Sequence, residues 1–191
     1  MNEQELLLDC LQRLNAKRIP YMITGSMASN AWGIPRTTHD LDFLIQLSRD
    51  KVSEFTNAFS DGGYAMDAEM VQSAFAPPHM FNVIHPPSGL KLDFWMYRPD
   101  DEFEREMFGR RVQENWLGEP ASMATAEDVI LHKLLWHQQA PSDRQLGDVA
   151  GVVAVQGEAL DRTYLNRWAD KLQLTEILHD ALTGKIKPKQ T

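Results

Sequence analysis

Leu7, Leu11 and Leu14 recur at helical spacing across residues 3–16, so the chain opens with an amphipathic helix. Ile19-Pro20 breaks that pattern, and Tyr21-Met22-Ile23-Thr24 predicts a short buried strand stopping at Gly25. Ser26 is placed to cap a helix through Met27 to Trp32, which Gly33 and Pro35 close. Leu41 to Ile45 predicts a second strand with Asp40-Leu41-Asp42 at its start. Val52, Phe55 and Phe59 line one face of a helix over 48–59, which Asp61-Gly62-Gly63 ends. A shorter helix over 67–75 precedes Pro77-Pro78. Strands over 80–84 and 90–97 flank Pro86-Pro87-Ser88-Gly89, so an antiparallel hairpin is the simplest connection. A short helix over 101–108 and a strand over 110–116 complete this half.

From Thr125 the period changes and everything reads helical. Thr125-Ala126-Glu127-Asp128 opens a helix to 138, and helices over 143–155, 161–172 and on to 182 follow, with Gly157 and Gly184 as stops. There is no internal repeat and no low-complexity segment. The expected fold class is α/β (α+β), a mixed sheet flanked by helices with a C-terminal helical part. The expected division is a core over 1–120 and a helical region over 121–191 packed on it.

Composition narrows the classes. The 191 residues are 43% hydrophobic and 24% charged, as in an ordinary globular protein able to bury a core without staples. The single cysteine, Cys10, excludes an intrachain disulfide framework and a cysteine-rich zinc site, and points to the cytoplasm. The acidic N-terminus and the Asp9 interruption are unlike a signal or transit peptide, and no apolar stretch has membrane-spanning length. A formal charge of −8 disfavours bulk nonspecific DNA or RNA binding, though it allows one phosphate or one RNA end in a local site. Lys185, Lys187 and Lys189 read as a solvated polar tail.

The candidate chemistry is carboxylate chemistry. Residues two apart on a strand share a face, so Asp40 and Asp42 project together while Leu41, Phe43 and Ile45 take the other side. Two like charges so close raise each other's pKa, and a divalent cation relieves the repulsion. Asp93 lies within the otherwise apolar Leu90 to Met96, an expensive place for an acid without a partner. If the two strands are neighbours, three carboxylates meet, as a two-metal transfer site requires. Each feature also has an ordinary reading: a solvated turn for Asp-X-Asp, and pairing with Lys91 or an arginine for Asp93. Gly25-Ser26, between a strand and a helix, offers backbone N–H groups and a hydroxyl to a phosphate, or simply an N-cap.

Together these residues resemble the nucleotidyltransferase superfamily that includes DNA polymerase β. Its signature places a hydrophobic residue, Gly and Gly or Ser a short spacer ahead of Asp-hydrophobic-Asp/Glu-hydrophobic. Here it runs Thr24-Gly25-Ser26, thirteen residues, then Asp40-Leu41-Asp42-Phe43, with Thr24 departing from the hydrophobic residue. A later strand in that superfamily carries a third acid, which Asp93 matches. The closer similarity is to bacterial abortive-infection toxin-type and antitoxin-type nucleotidyltransferases. Gly33-Ile34-Pro35-Arg36-Thr37-Thr38-His39-Asp40-Leu41-Asp42 fits their first motif, and the segments Ala126 to Leu134 and Ser142 to Val149 are similar to their later helices.

The resemblance implies a nucleotidyltransferase fold and Mg²⁺-dependent transfer of NMP from an NTP to a hydroxyl on a protein, a tRNA end or a small molecule, with a toxin–antitoxin role compatible. It gives Gly25 and Ser26 to the triphosphate, Asp40 and Asp42 to Mg²⁺, and Asp93 to the metal site and the attacking hydroxyl. Arg36 and Lys133 would reach the nucleotide, although an ion pair for Arg36 and a solvated charge for Lys133 are alternatives. Arg144 and Asp148 stand at helical spacing for a salt bridge. Two other classes remain open: a module of the same fold that binds nucleotide or a partner without turnover, and a metal-dependent phosphohydrolase. The histidines are dispersed, and His132 and His137 are five apart, not the four of a helical zinc pair. Trp95 is assigned to the core and not to base stacking.

Overall fold

A computed structural model describes residues 1–188, so Lys189 of the expected basic tail lies outside the described residues. The chain divides into two compact units. The first joins Met1–Thr24 to His39–Met123, and the second joins Gly25–Thr38 to the chain from Ala124 onward.

The first unit is built on a six-stranded mixed sheet. Its strands are β1 (Tyr21–Ile23), β2 (Asp40–Ile45), β3 (Met80–His85), β4 (Leu90–Met96), β5 (Val112–Trp116) and β6 (Glu119–Met123), in spatial order β3-β4-β2-β1-β6-β5. β2 runs parallel to β4 and β1 parallel to β6; the pairs β1/β2, β3/β4 and β5/β6 are antiparallel. The expected 80–84/90–97 hairpin is thus present. Helix α1 (Glu3–Ala16) starts with a reciprocal capping box, in which the Asn2 side chain accepts from the Glu5 N–H and the Glu5 carboxylate from the Asn2 N–H. Leu7, Leu11 and Leu14 are buried as their spacing predicts, and so is the Cys10 thiol. The expected 48–59 helix is a 3₁₀ turn at Arg49–Lys51 leading into α3 (Val52–Ala58), with Val52, Phe55 and Phe59 in the core. Short helices α4 (Ala68–Ser73) and α5 (Glu102–Arg110) are capped by the carboxylates of Asp67 and Asp101.

Strand β6 has no counterpart in the sequence pattern. Glu119-Pro120-Ala121-Ser122-Met123 has weak strand propensity, and proline is excluded from strands paired on both sides. β6 tolerates it because β1 pairs with it only at Ile23 opposite Met123, leaving Pro120 matched on one side, to Asn115 of β5. The Pro120 carbonyl accepts from Tyr21 Oη at 3.1 Å and Asn15 Nδ2 at 2.9 Å. The connecting turn, Leu117-Gly118, holds both residues at positive φ (51° and 92°), the geometry of a two-residue hairpin that Asn-Gly ordinarily signals.

The second unit is helical among its described residues: α2 (Gly25–Trp32), α6 (Ala126–Gln139), α7 (Asp143–Gln156), α8 (Arg162–Lys171) and α9 (Thr175–Leu182). Val129, Leu131 and Leu134 are buried and Leu135 is half-buried, so the expected stripe forms the core of α6. Where α2 ends it runs against α7 with no room for a side chain. A Cβ on Gly33 would stand 2.7 Å from the Val152 nitrogen and 2.9 Å from the Gly151 carbonyl carbon. Both obstacles are backbone, so Gly33→Ala is expected to force the helices apart and cost ~1–3 kcal/mol, read as a lower urea midpoint with an unchanged slope. An unchanged midpoint would show that α2 and α7 have slack at this crossing.

No helix among the described residues is long and apolar enough to cross a membrane.

Candidate functional site

The register of the parallel β2/β4 pair determines what the carboxylates can do. Asp42 lies directly opposite Asp93, and Asp40 directly opposite Lys91. On the far side of β4, Asn82 of β3 pairs with Asp93 and Ile84 with Lys91. Side chains alternate between faces, so two rows form on one face of the sheet: Asn82-Asp93-Asp42, and beside it Ile84-Lys91-Asp40. The alternate positions form the rows Val83-Leu92-Leu41 and Phe81-Phe94-Phe43 on the other face, and in the second of these Phe94 stacks on both neighbours at 5.2 and 5.3 Å. That aromatic row, fully buried against Phe55 and Phe59, fixes the register; a slip of one residue would bury the acids and expose the rings.

Asp42 and Asp93 are each only 8% exposed, whereas the Asp40 side chain is 42% exposed. Asp93 is held from two sides: Asn82 Nδ2 donates to one oxygen, and Lys91 Nζ donates to the other at 2.6 Å. The Lys91 ammonium also stands 3.9 Å from Asp40. Its hydrogen bond to Asp93 raises the Lys91 pKa against the opposing effect of burial, and the charges of Asp93, Asp40 and Asp42 add to the rise. Lys91 therefore brings a positive charge in among three acids. As the side chains lie, no group of three or more His, Cys, Asp or Glu among the described residues is gathered tightly enough to hold a metal ion. A cavity of about 590 Å³ lined by Leu47, Met96, Tyr97 and Arg98 lies beyond the opposite ends of β2 and β4 and does not include the carboxylates.

The other sequence-predicted residues belong to the second unit. Gly25 opens α2 at φ +59°, in the left-handed region that favours glycine. Ser26 sits in the first turn; its hydroxyl accepts from Arg36 Nη2 at 2.8 Å instead of capping the helix. The Arg36 backbone is fixed by Asn30, whose amide accepts from its N–H and donates to its carbonyl. The Arg36 guanidinium forms a two-point pair with Asp148, at 2.6 and 2.7 Å. Lys133, 3% exposed, donates to the same carboxylate at 2.7 Å and to Gln145 at 3.0 Å. Burial pushes the Asp148 carboxyl up, but the Arg36 and Lys133 bonds and charges outweigh it and hold its pKa below the usual value.

Two expectations change here, and one residue was missed. Asp148 pairs with Arg36 and Lys133, not with Arg144 four residues before it on α7, which is exposed. Lys133 is a buried charge and not a solvated one, because a carboxylate waits for it inside the unit. Asn82 went unnoticed; an amide among the apolar residues of 80–84 is the signal that could have found it, through the same argument that singled out Asp93.

No family model and no curated protein matches the chain. Solved structures do. The antibiotic-resistance factor ANT(2'')-Ia in solution superimposes with a TM-score of 0.62 at 13% identity, covering 92% of this chain and 96% of that one. ANT(2")-Ia in complex with adenylyl-2"-tobramycin gives 0.59 at 15% identity over 97% and 99%. An antigenic nucleotidyltransferase-like protein from Paracoccidioides brasiliensis gives 0.54 at 18% identity over 98% and 94%. At such identities the likeness speaks for architecture alone. Over nearly its whole length, this chain shares the fold of ANT(2'')-Ia and of the nucleotidyltransferase-like protein.

Proposed function

We propose that the protein is a Mg²⁺-dependent nucleotidyltransferase that moves NMP from an NTP to a hydroxyl acceptor. The observation that carries this reading is the register of β2 on β4, which sets Asp42 beside Asp93 and Asp40 one row away on a single face. The donor set is all oxygen, the choice of Mg²⁺, and a resident ammonium already marks the cluster as a place that demands a cation.

Asp40, Asp42 and Asp93 would hold the metal. When bound, Mg²⁺ supplies charge neutralisation at the attacking and leaving oxygens. The acceptor oxygen attacks the α-phosphorus and the bond to the bridging oxygen breaks, so pyrophosphate leaves with that bond's electron pair. The hydroxyl proton passes to Asp93, which Asn82 holds in place through one oxygen. Gly25 and Ser26 are suited to phosphate by the left-handed glycine and the small hydroxyl, and Arg36 and Lys133 by their charge.

Among acceptors, the net charge of −8 favours a small cationic or neutral hydroxyl compound over a tRNA end or an acidic protein. The similar ANT(2")-Ia is seen with an adenylylated aminoglycoside, which fits the same preference. A toxin–antitoxin role rests on the sequence resemblance.

The test incubates the protein with each α-labelled NTP, Mg²⁺ and candidate acceptors, aminoglycosides and tRNA among them. Label carried onto an acceptor with release of pyrophosphate is the expected result. Free nucleotide or phosphate as the sole product would instead make it a phosphohydrolase. Nucleotide bound without turnover would make it a binding module.

A further inference from the structure

Lys91 places a cation among the three acids on the carboxylate face of β2 and β4. It reaches Asp93 at 2.6 Å and stands 3.9 Å from Asp40, and its strand position is set by pairing with Asp40. We propose that Lys91 is a built-in counter-cation of this cluster: it competes with a divalent cation for Asp93 and Asp40, and must swing aside before the metal ion binds. The inference rests on the metal-dependent reading of the same site.

Three features support a displaceable cation over a fixed structural pair. The Lys91 side chain is 45% exposed, so its ammonium has open solvent to move into. The group is a point charge on a flexible four-carbon stem, without the planar fork by which arginine grips a carboxylate at two points. And both the lysine and the metal satisfy one electrostatic need, so the apparent metal affinity is a difference between the two and not the full attraction of three carboxylates. A bare ion then binds weakly. An ion arriving with a triphosphate binds better, because phosphate oxygens complete its shell and their charge receives the displaced ammonium. Lys91 would in this way make metal occupancy depend on nucleotide. It acts as a positioning residue, through the carboxylates.

The experiment measures Mn²⁺ binding calorimetrically on the full chain without nucleotide, for the wild type, Lys91→Met and Lys91→Gln, with Asp42→Asn as a control for the site. Both lysine variants are expected to bind Mn²⁺ about tenfold more tightly than the wild type, with the extra affinity lost when Asp42→Asn is added. Their melting temperatures without metal should fall and recover with Mn²⁺ by more than the wild type gains. Using two variants guards against one that fails to fold. Mn²⁺ affinity equal to or weaker than wild type in both variants would overturn the counter-cation role and leave the metal site standing. No Mn²⁺ binding by any of the proteins, with or without NTP, would overturn the metal-dependent reading and this inference with it.

Discussion

Asp42→Asn is expected to lower nucleotide transfer by about a thousandfold, on the order of 4 kcal/mol of transition-state stabilisation, while leaving the melting temperature unchanged or raised. The two halves of that expectation have one cause. Asp42 is 8% exposed and sits opposite Asp93 in a parallel pair, so two acids share a face with a third one row away. Such an arrangement works against the fold, since neighbouring carboxylates disfavour each other's ionisation. An asparagine of the same shape keeps the packing, keeps the bond from the Thr24 N–H to the residue 42 carbonyl, and removes one charge from the repulsion. It also removes an anionic oxygen where a cation would be held. Labelled-NTP turnover and thermal melting on the same purified variant check both parts. Transfer within tenfold of wild type would remove Asp42 from the site; a melting temperature several degrees lower would make its role structural.

What the sequence made legible was local periodicity. Asp40 and Asp42 share a face because strand side chains alternate, and Asp93 was conspicuous because an acid interrupts Leu90 to Met96. Whether the two strands are neighbours is a question of sheet order, which no local pattern encodes; β2 follows β1 in the chain, yet β4 is its parallel neighbour. β6 escaped notice because its turn uses leucine at positive φ and its strand carries a proline, the latter tolerated through one-sided pairing. Helical spacing likewise suggested a partner for Asp148 on its own helix. The actual partners are 112 and 15 residues away in sequence, and one of them, Arg36, comes from an irregular segment that Asn30 holds in shape. Lys133 was hard to place for the same reason. An amphipathic pattern sends a lone lysine to solvent unless a buried anion is known to be waiting, and that anion belongs to the next helix.

That buried triad carries the largest expected effect on stability. Removing its carboxylate with Asp148→Ala should cost about 3–5 kcal/mol, because two cations would remain in the interior facing an alanine. Asp148, Lys133 and Arg36 side chains are 7%, 4% and 14% exposed, so water cannot readily replace the lost partner. The cost should shrink if one stranded charge is also removed: Lys133→Met combined with Asp148→Ala is expected to lose less than the sum of the single changes, the signature of direct coupling in a double-mutant cycle. The pH dependence follows from the lowered Asp148 pKa. A carboxylate whose folded-state pKa lies below its unfolded value stabilises fully above the unfolded value, about 4, and loses that contribution as pH falls through the folded value. The gap in unfolding free energy between wild type and Asp148→Ala should therefore hold between pH 5 and 8 (a window chosen to lie well above about 4) and narrow in stronger acid. Urea denaturation at several pH values measures it. A gap under about 1 kcal/mol at neutral pH, or one that fails to narrow in acid, would show that the triad behaves as a solvated surface pair.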